Sequence, residues 1–144
     1  MGTPRIVGDI MTTKVAVLRE EENLEQVTEG MERFKFRHLP VVDGERLVGM
    51  VSDRDILRSS VSRLETSAGA GLTDAKIKSS TFVASIMKRG MKTVSPETPL
   101  LEAAKWLVGM KLSALPVVDD AGKLLGIVTD HDFLKLTVEM LDKN

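Results

Sequence analysis

The stretch HLPVVD at residues 38–43 returns as ALPVVD at residues 114–119, 76 positions later. Two further stretches keep this register. DIM at 9–11 matches SIM at 85–87, again 76 apart, and GMVSDRD at 49–55 matches GIVTDHD at 126–132 at a shift of 77. The second copy therefore has one additional residue in a turn. A register kept over so much of the chain indicates an internal duplication.

Each copy shows the same order of predicted elements. A short strand comes first, around residues 15–18 and 93–94, and a helix follows. Two Val-rich runs then flank an Asp/Gly turn, at 39–51 and at 115–128, which is the pattern of a β-hairpin. A second helix closes each copy, beginning near Asp53 and Asp130.

The first helix of each copy has a predicted start and a predicted apolar face. In the first copy Asn23 is the expected N-cap, with Gln26 three residues later completing a capping box. In the second copy Thr98 is the expected N-cap, followed by a proline at the first helical position. Spacings of three and four residues then predict two buried faces. They comprise Leu24, Val27, Met31 and Phe34, and Leu100, Ala103, Ala104 and Leu107 with the stem of Lys111.

Composition bounds the class of protein. The chain has 144 residues, 42% of them hydrophobic, a net charge of −1 and no cysteine. Without cysteine there are no disulfides, thiol nucleophiles or thiolate metal sites. The near-zero charge and the scarcity of aromatic residues disfavour a nucleic-acid partner. No apolar run reaches a membrane span and residues 1–8 lack a signal-peptide core, so we expect a cytoplasmic protein with no membrane partner.

The motif Ser/Thr-Asp-x-Asp at the end of each hairpin carries two compatible interpretations. Ser52 with Asp55, and Thr129 with Asp132, fit a capping box, with a hydroxyl at the N-cap and a carboxylate three residues on. The same helix start also offers free N–H groups to an anion, a hydroxyl to a phosphate or sugar, and a carboxylate to the two hydroxyls of a ribose. Gly49 and Gly126 are expected to let a ligand approach the backbone.

No catalytic set is recognisable, and we expect no enzymatic activity and no catalytic cofactor. The paired aspartates at each helix start suit hydrogen-bond acceptance better than proton transfer. The two histidines are not spaced as metal ligands, so no metal site is predicted. Trp106 lies beside the apolar helix face of the second copy and is expected to serve packing or a dimer contact.

Both copies together resemble a tandem pair of CBS domains, named after cystathionine β-synthase. The order, spacing and duplication of the three motifs quoted above carry this resemblance. It implies an α+β protein of two β-α-β-β-α repeats, related by a pseudo-two-fold axis with their sheets packed face to face. The expected boundaries are 1–62 for the first repeat, 63–80 for a flexible linker and 81–144 for the second repeat.

The resemblance also implies a function and a set of binding residues. Such pairs bind adenosine compounds such as AMP, ADP, ATP or S-adenosylmethionine as regulatory ligands, in clefts between the repeats, and commonly form homodimers. Asp55 and Asp132 would hold ribose hydroxyls, with Ser52 and Thr129 near ribose or phosphate. The Asp132 cleft would be completed by Thr13, Val17, Phe36, Arg37, His38 and Pro40. The Asp55 cleft would be completed by Lys88, Thr93, Leu112, Ser113, Ala114 and Pro116.

The two implied clefts differ in charge. Arg37 and His38 stand where the second copy has Ser113 and Ala114, and a guanidinium binds phosphate strongly. We therefore expect the Asp132 cleft to be the better nucleotide site, unless Arg37 is simply solvated. The alternative function is a module without ligand that dimerises or docks on an enzyme or transporter. In either case we expect the protein target, whose identity the sequence does not give, to be a separate chain.

Overall fold

The computed structural model of the chain describes residues 2–34, 37–59 and 80–143. Residues 60–79 lie outside the described residues, and with them all of the expected linker (63–80) except Ser80; Phe36 also lies outside them. The chain forms two compact units whose boundaries differ from those of the sequence repeats. The central unit comprises residues 16–91, and the terminal unit comprises residues 1–15 together with 92–144.

The elements follow the order that the duplication predicts. A single 3-10 turn, Val7–Asp9, opens the chain. The helices are α1 (Leu24–Phe34), α2 (residues 53–59), α3 (Val83–Ile86), α4 (Leu100–Gly109) and α5 (Asp130–Asp142). The strands are β1 (His38–Asp43), β2 (Arg46–Ser52), β3 (Ala114–Val118) and β4 (Leu124–Thr129).

The central unit is built around the β1–β2 hairpin. The two strands are antiparallel, with Leu39 opposite Val51 and a register shift between Val41 and Val42. Helix α1 begins as predicted, because Asn23 and Gln26 exchange side-chain-to-backbone hydrogen bonds of 3.0 Å each. Its apolar face joins a buried core of Leu18, Leu24, Val27, Met31, Leu39, Val41, Val51, Ile56, Val83 and Met87.

The terminal unit repeats this plan around the β3–β4 hairpin, with Leu115 opposite Val128. Its buried core comprises Val7, Val94, Leu100, Ala103, Leu107, Leu115, Val117 and Val128. Trp106 packs against this core as expected, and the Lys92 ammonium lies 4.1 Å from its ring centroid. The predicted α+β architecture, with two small antiparallel sheets, is confirmed.

Each unit contains the opening segment of the other repeat. Residues 1–15, which open the first repeat, lie in the terminal unit with the second hairpin. Residues 81–91, which open the second repeat, lie in the central unit with the first hairpin. In the terminal unit Thr12, from the first repeat, forms an antiparallel bridge with Ile127 of the second. In the central unit Lys88, from the second repeat, forms the matching bridge with Met50 of the first. Burial of Val7 and Val83 in these two cores holds the segments in place. The two repeats therefore exchange their opening segments, and neither repeat forms a compact unit from its own residues alone.

Three local expectations need correction. The first strand of each repeat is reduced to one parallel bridge, Leu18 with Val41 and Val94 with Val117. The predicted N-cap at Thr98 is wrong. Helix α4 has Pro99 at its N-cap position without a side-chain cap, and the Leu100 N–H donates instead to the Arg5 carbonyl at 3.0 Å. Lys111 lies beyond the end of α4, with a φ of 54°.

Within the described residues, no helix combines the length and apolar character that a bilayer crossing requires.

Candidate functional site

The two predicted capping boxes are both present, one in each unit. In the central unit the Ser52 N–H donates to Asp55 Oδ2 at 2.9 Å, and the Asp55 N–H donates to Ser52 Oγ at 3.2 Å. In the terminal unit the Thr129 N–H donates to Asp132 Oδ2 at 2.9 Å, and the Asp132 N–H donates to Thr129 Oγ1 at 3.2 Å. The reciprocal bonds fix the orientation of both carboxylates.

Both carboxylates are buried although aspartate is usually exposed. Asp55 is 7% exposed and Asp132 is 8% exposed, and with Thr81 they are the buried polar residues among those described. Burying a charge is costly unless hydrogen bonds or an opposite charge compensate it. The capping box engages Oδ2 in each case, which leaves Oδ1 to take its partner from elsewhere.

That second oxygen meets a residue of the other repeat. In the central unit the Lys88 ammonium lies 3.5 Å from Asp55 Oδ1. In the terminal unit the Thr12 hydroxyl donates to Asp132 Oδ1 at 3.3 Å. Lys88 and Thr12 occupy equivalent positions, 76 residues apart, in the duplicated sequence. The units thus build the same site with a cation in one and a neutral hydroxyl in the other.

Paired backbone hydrogen bonds hold these two residues in place. Thr12 exchanges both of its backbone bonds with Ile127, at 2.8 and 2.9 Å, and Lys88 does the same with Met50, at 2.9 and 3.0 Å. The side chain of Lys88 is 64% exposed, so its ammonium keeps freedom while its backbone is fixed. The family resemblance implies Lys88 for one cleft and Thr13, the neighbour of Thr12, for the other. The structure brings Thr12 to Asp132, and the 76-residue register could have identified it.

The expectation for the two motif glycines is wrong, because the chain itself makes the close approach. A Cβ on Gly126 would lie 2.5 Å from the Thr12 carbonyl oxygen, and a Cβ on Gly49 would lie 2.6 Å from Met87 Sδ. The space beside each glycine is filled by the opening segment of the other repeat. These glycines therefore admit a backbone rather than a ligand.

Arg37 has a partner within its own unit. Its Nε lies 3.9 Å from Asp53 Oδ2, and its carbonyl accepts the Asp53 N–H at 3.1 Å. The side chains are 72% and 52% exposed, so the ion pair contributes little to stability. The guanidinium thus stays accessible to a ligand at the start of α2.

The remaining predicted residues line the ends of the hairpins or stay at the surface. His38 pairs with Ser52 at the end of the β1–β2 ladder, and Ala114 pairs with Thr129 at the end of the β3–β4 ladder. The Ser113 carbonyl accepts the Asp130 N–H at 3.0 Å. Pro40 and Pro116 are buried, Thr93 and Leu112 are half-buried, and Thr13 and Val17 are exposed.

Each predicted residue set draws on both units. Thr13 belongs to the terminal unit with Asp132, whereas Val17, Arg37, His38 and Pro40 belong to the central unit. Lys88 belongs to the central unit with Asp55, whereas Thr93, Leu112, Ser113, Ala114 and Pro116 belong to the terminal unit. The grouping of these residues into two clefts stays a prediction.

The duplicated capping boxes and their exchanged partners agree with the family match. The family model described as CBS domain matches residues 7–62 and 83–139, and the chain belongs to this family as a tandem pair. A similar solved structure is the Arabidopsis thaliana CBS-pair protein CBSX2 in complex with AMP. It is 29% identical with a TM-score of 0.79, and the match covers 95% of this chain and 98% of that one.

Two further relatives show the pair as a part of longer proteins. The cytosolic domain of the Mg²⁺ channel MgtE in complex with ATP is 28% identical, with a TM-score of 0.72 over 92% of this chain and 48% of that one. The homoserine O-acetyltransferase of Methanococcoides burtonii is 34% identical over 131 residues, which are 90% of this chain. The chain spans about a quarter of that enzyme's length, 24%.

Proposed function

We propose that this chain is a regulatory module that binds an adenosine nucleotide through Asp55 and Asp132 and catalyses no reaction. The observation that carries the proposal is the pair of buried, pre-oriented carboxylates. Each has Oδ2 engaged by its capping box and Oδ1 in contact with a side chain of the other repeat. A ribose presents two neighbouring hydroxyl donors, which suit such an acceptor.

Two similar structures support the choice of ligand. CBSX2 was solved with AMP and the cytosolic domain of MgtE with ATP, and over the aligned residues they are 29% and 28% identical to this chain. They share adenosine and at least one phosphate. Arg37 and Lys88 lie beside the motif of the central unit, at Asp53 and at Asp55, and both cations suit a phosphate group.

The exchanged segments supply a route from ligand to partner. A ribose that engages Oδ1 of Asp55 or Asp132 must share that oxygen with Lys88 or Thr12, which belong to the opening segments. Ligand binding therefore acts on contacts that tie one repeat to the other. A partner that contacts the opening segments would sense this change.

A calorimetric titration with AMP, ADP, ATP, S-adenosylmethionine and the guanine nucleotide GMP tests the proposal. We expect heat with at least one adenosine ligand and none with GMP. The Asp55→Asn/Asp132→Asn double variant keeps the side-chain shape and should lose most of this heat. The proposal fails if no adenosine ligand binds the wild-type chain, or if the double variant binds as tightly as the wild type.

A second candidate function rests on the exposed apolar residues of the terminal unit. Helices α4 and α5 carry large apolar side chains that are half or more exposed, namely Leu101, Val108, Leu134, Val138, Met140 and Leu141. Leu134, Val138 and Leu141 recur at spacings of four and three residues and so share one face of α5, and an exposed apolar helix face is typical of an interface. On this hypothesis the chain is a homodimer or a docking module without ligand.

Light scattering together with thermal unfolding separates the two functions. A ligand that binds the native state raises the unfolding temperature. A dimer whose unfolding temperature no adenosine ligand changes would favour the docking module. The Leu134→Glu/Val138→Glu variant should then be monomeric, while a Lys135→Glu control should not change the mass.

A further inference from the structure

We infer that Lys88 makes the Asp55 site selective for phosphorylated adenosine ligands over the unphosphorylated nucleoside, a selectivity that Thr12 does not give the Asp132 site. This inference rests on the proposed function. It follows from one difference between two similar sites: Lys88 lies against Asp55 in the central unit, and Thr12 lies against Asp132 in the terminal unit.

The two sites share their capping-box contacts. Besides the residue at Oδ1, they differ in two described contacts: the Thr129 hydroxyl also donates to Asp132 Oδ2 at 3.1 Å, and Arg37 pairs with Asp53 in the central unit. Both aspartates are buried to nearly the same extent, at 7% and 8% exposed, and both accept a backbone N–H of 2.9 Å at Oδ2. Both facing residues are held by two backbone hydrogen bonds to the strand beside the motif glycine. Among these differences, the residue facing Oδ1 is the one that places a cation on the buried aspartate itself.

The ammonium is a competitor for the oxygen that a ribose needs. Lys88 Nζ and a ribose hydroxyl are both donors, and both are directed at Asp55 Oδ1. Binding of a ribose weakens or breaks the ion pair, and the ammonium then needs another anion. A nucleoside offers none. A nucleotide offers its phosphate, which replaces the lost partner.

The geometry of Lys88 suits this exchange. Its backbone is fixed to Met50, while its side chain is 64% exposed and free to swing. Asp55, in contrast, is held by its capping box and is 6% exposed in its side chain. The mobile partner is thus the lysine, and its ammonium stays within a side chain's length of the site when it leaves the carboxylate.

At the Asp132 site the corresponding exchange is between neutral groups. The Thr12 hydroxyl can rotate away from Asp132 and bond to water at little cost. A nucleoside therefore meets no charged competitor there, and a phosphate gains no ammonium. Any preference for phosphate at this site has to come from other residues, such as Arg37.

Paired single-site titrations test the inference. The Asp132→Asn background isolates the Asp55 site, and the measured quantity is the ratio of the Kd for adenosine to the Kd for AMP. In this background Lys88→Met should lower the ratio about tenfold, the order of one charge-assisted hydrogen bond. Lys88→Arg should keep the ratio, and Lys88→Gln repeats the test with a polar neutral side chain.

The reciprocal change tests the same idea in the other unit. In the Asp55→Asn background Thr12→Lys should raise the ratio about tenfold, because it installs an ammonium beside Asp132. The Lys88→Met experiment has its own matched control, Arg89→Met, in the same Asp132→Asn background. Arg89 pairs with Glu20 at 3.3 Å, so its loss removes a neighbouring cation and should not change the ratio of the Kd for adenosine to the Kd for AMP.

The outcomes separate this inference from the function on which it rests. If AMP binds the Asp132→Asn chain and Lys88→Met leaves the ratio within twofold, the selectivity by Lys88 is wrong and the nucleotide function stands. If the Asp132→Asn chain binds neither ligand while the Asp55→Asn chain still binds AMP, there is no nucleotide site at Asp55. The inference about Lys88 is then wrong, and the proposed nucleotide binding still stands. If the wild type binds neither ligand, both fall.

Discussion

The Thr12 hydroxyl donates a 3.3 Å hydrogen bond to the buried carboxylate of Asp132, a residue 120 positions further along the chain. The contact links the opening segment of the first repeat to the Ser/Thr-Asp-x-Asp motif of the second. Its counterpart is the ion pair of Lys88 with Asp55. The motif that defines the family is thus completed by the opposite copy in both units.

Neutralising one motif aspartate should weaken nucleotide binding. A hydrogen bond to a charged group contributes about 1.5–3 kcal/mol, so Asp132→Asn should raise the Kd about ten- to a hundredfold at its site. Because Arg37 and His38 are predicted to serve this site, Asp55→Asn should have the smaller effect on AMP binding. Isothermal calorimetry measures both. A larger loss with Asp55→Asn would reverse the predicted order of the two sites.

Removing the cap hydroxyl of α5 should destabilise the folded chain. Thr129 Oγ1 accepts the Asp132 N–H, so Thr129→Ala should lower the free energy of unfolding by about 1 kcal/mol. Urea denaturation measures this change. Thr137→Ala is the control: its hydroxyl bonds only to the Phe133 carbonyl of the same helix in the described contacts, and alanine has the higher helix propensity. Equal losses for the two variants would contradict the capping role.

The motif glycines should tolerate alanine poorly and unequally. At Gly126 the added Cβ meets a backbone oxygen at 2.5 Å, so Gly126→Ala should cost about 1–3 kcal/mol. At Gly49 the nearest atom belongs to the flexible side chain of Met87, although the Lys88 carbonyl oxygen lies at 3.1 Å, so the loss should be smaller.

Gly30 within α1 provides the control for these substitutions. It has no heavy atom within 4 Å of an added Cβ, so Gly30→Ala should stabilise the chain by roughly 0.5–1 kcal/mol through helix propensity. Thermal or urea unfolding ranks the three variants. If Gly126→Ala is as stable as Gly30→Ala, Thr12 does not pack closely on β4.

The start of the terminal unit should respond to acid. The backbone N–H of Arg5, at 2.8 Å, and then that of Ile6, at 3.1 Å, donate to Asp9 and lower its pKa below the usual 3.8. A depressed pKa means that Asp9 stabilises the fold above its unfolded pKa, and that this contribution is lost as the pH falls through the folded value. The difference in unfolding free energy between wild type and Asp9→Ala should therefore narrow below about pH 4.

A carboxyl-carbon NMR titration gives the Asp9 pKa directly. An Asp9 midpoint at or above 3.8 would contradict the two backbone bonds.

The duplication, the two hairpins and three of the four proposed caps could be predicted from the sequence because they depend on local patterns. Asn23 and Gln26, Ser52 and Asp55, and Thr129 and Asp132 lie three residues apart and bond as expected. The cap at Thr98 could not be predicted, because the Arg5 carbonyl, some ninety residues away in sequence, takes the Leu100 N–H.

The sequence was sufficient to identify the two acidic residues of the candidate sites, but it did not identify all of the residues that contact them. Spacing indicates that Asp55 and Asp132 begin helices, but it does not reveal that an opening segment fills the space at Gly49 and Gly126. That contact depends on tertiary pairing of Lys88 with Met50 and of Thr12 with Ile127. The 76-residue register shows that Thr12 and Lys88 are equivalent positions. Their contacts with Asp132 and Asp55 became visible only in the structure.

The exchange of opening segments limits how the gene for this chain can change. The opening segment of each repeat packs in the unit of the other repeat. A deletion that removes one repeat therefore also removes a segment that the remaining repeat needs for its fold. If the two copies were expressed as separate fragments, each hairpin would lose the segment that pairs with its second strand, because Thr12 pairs with Ile127 and Lys88 pairs with Met50.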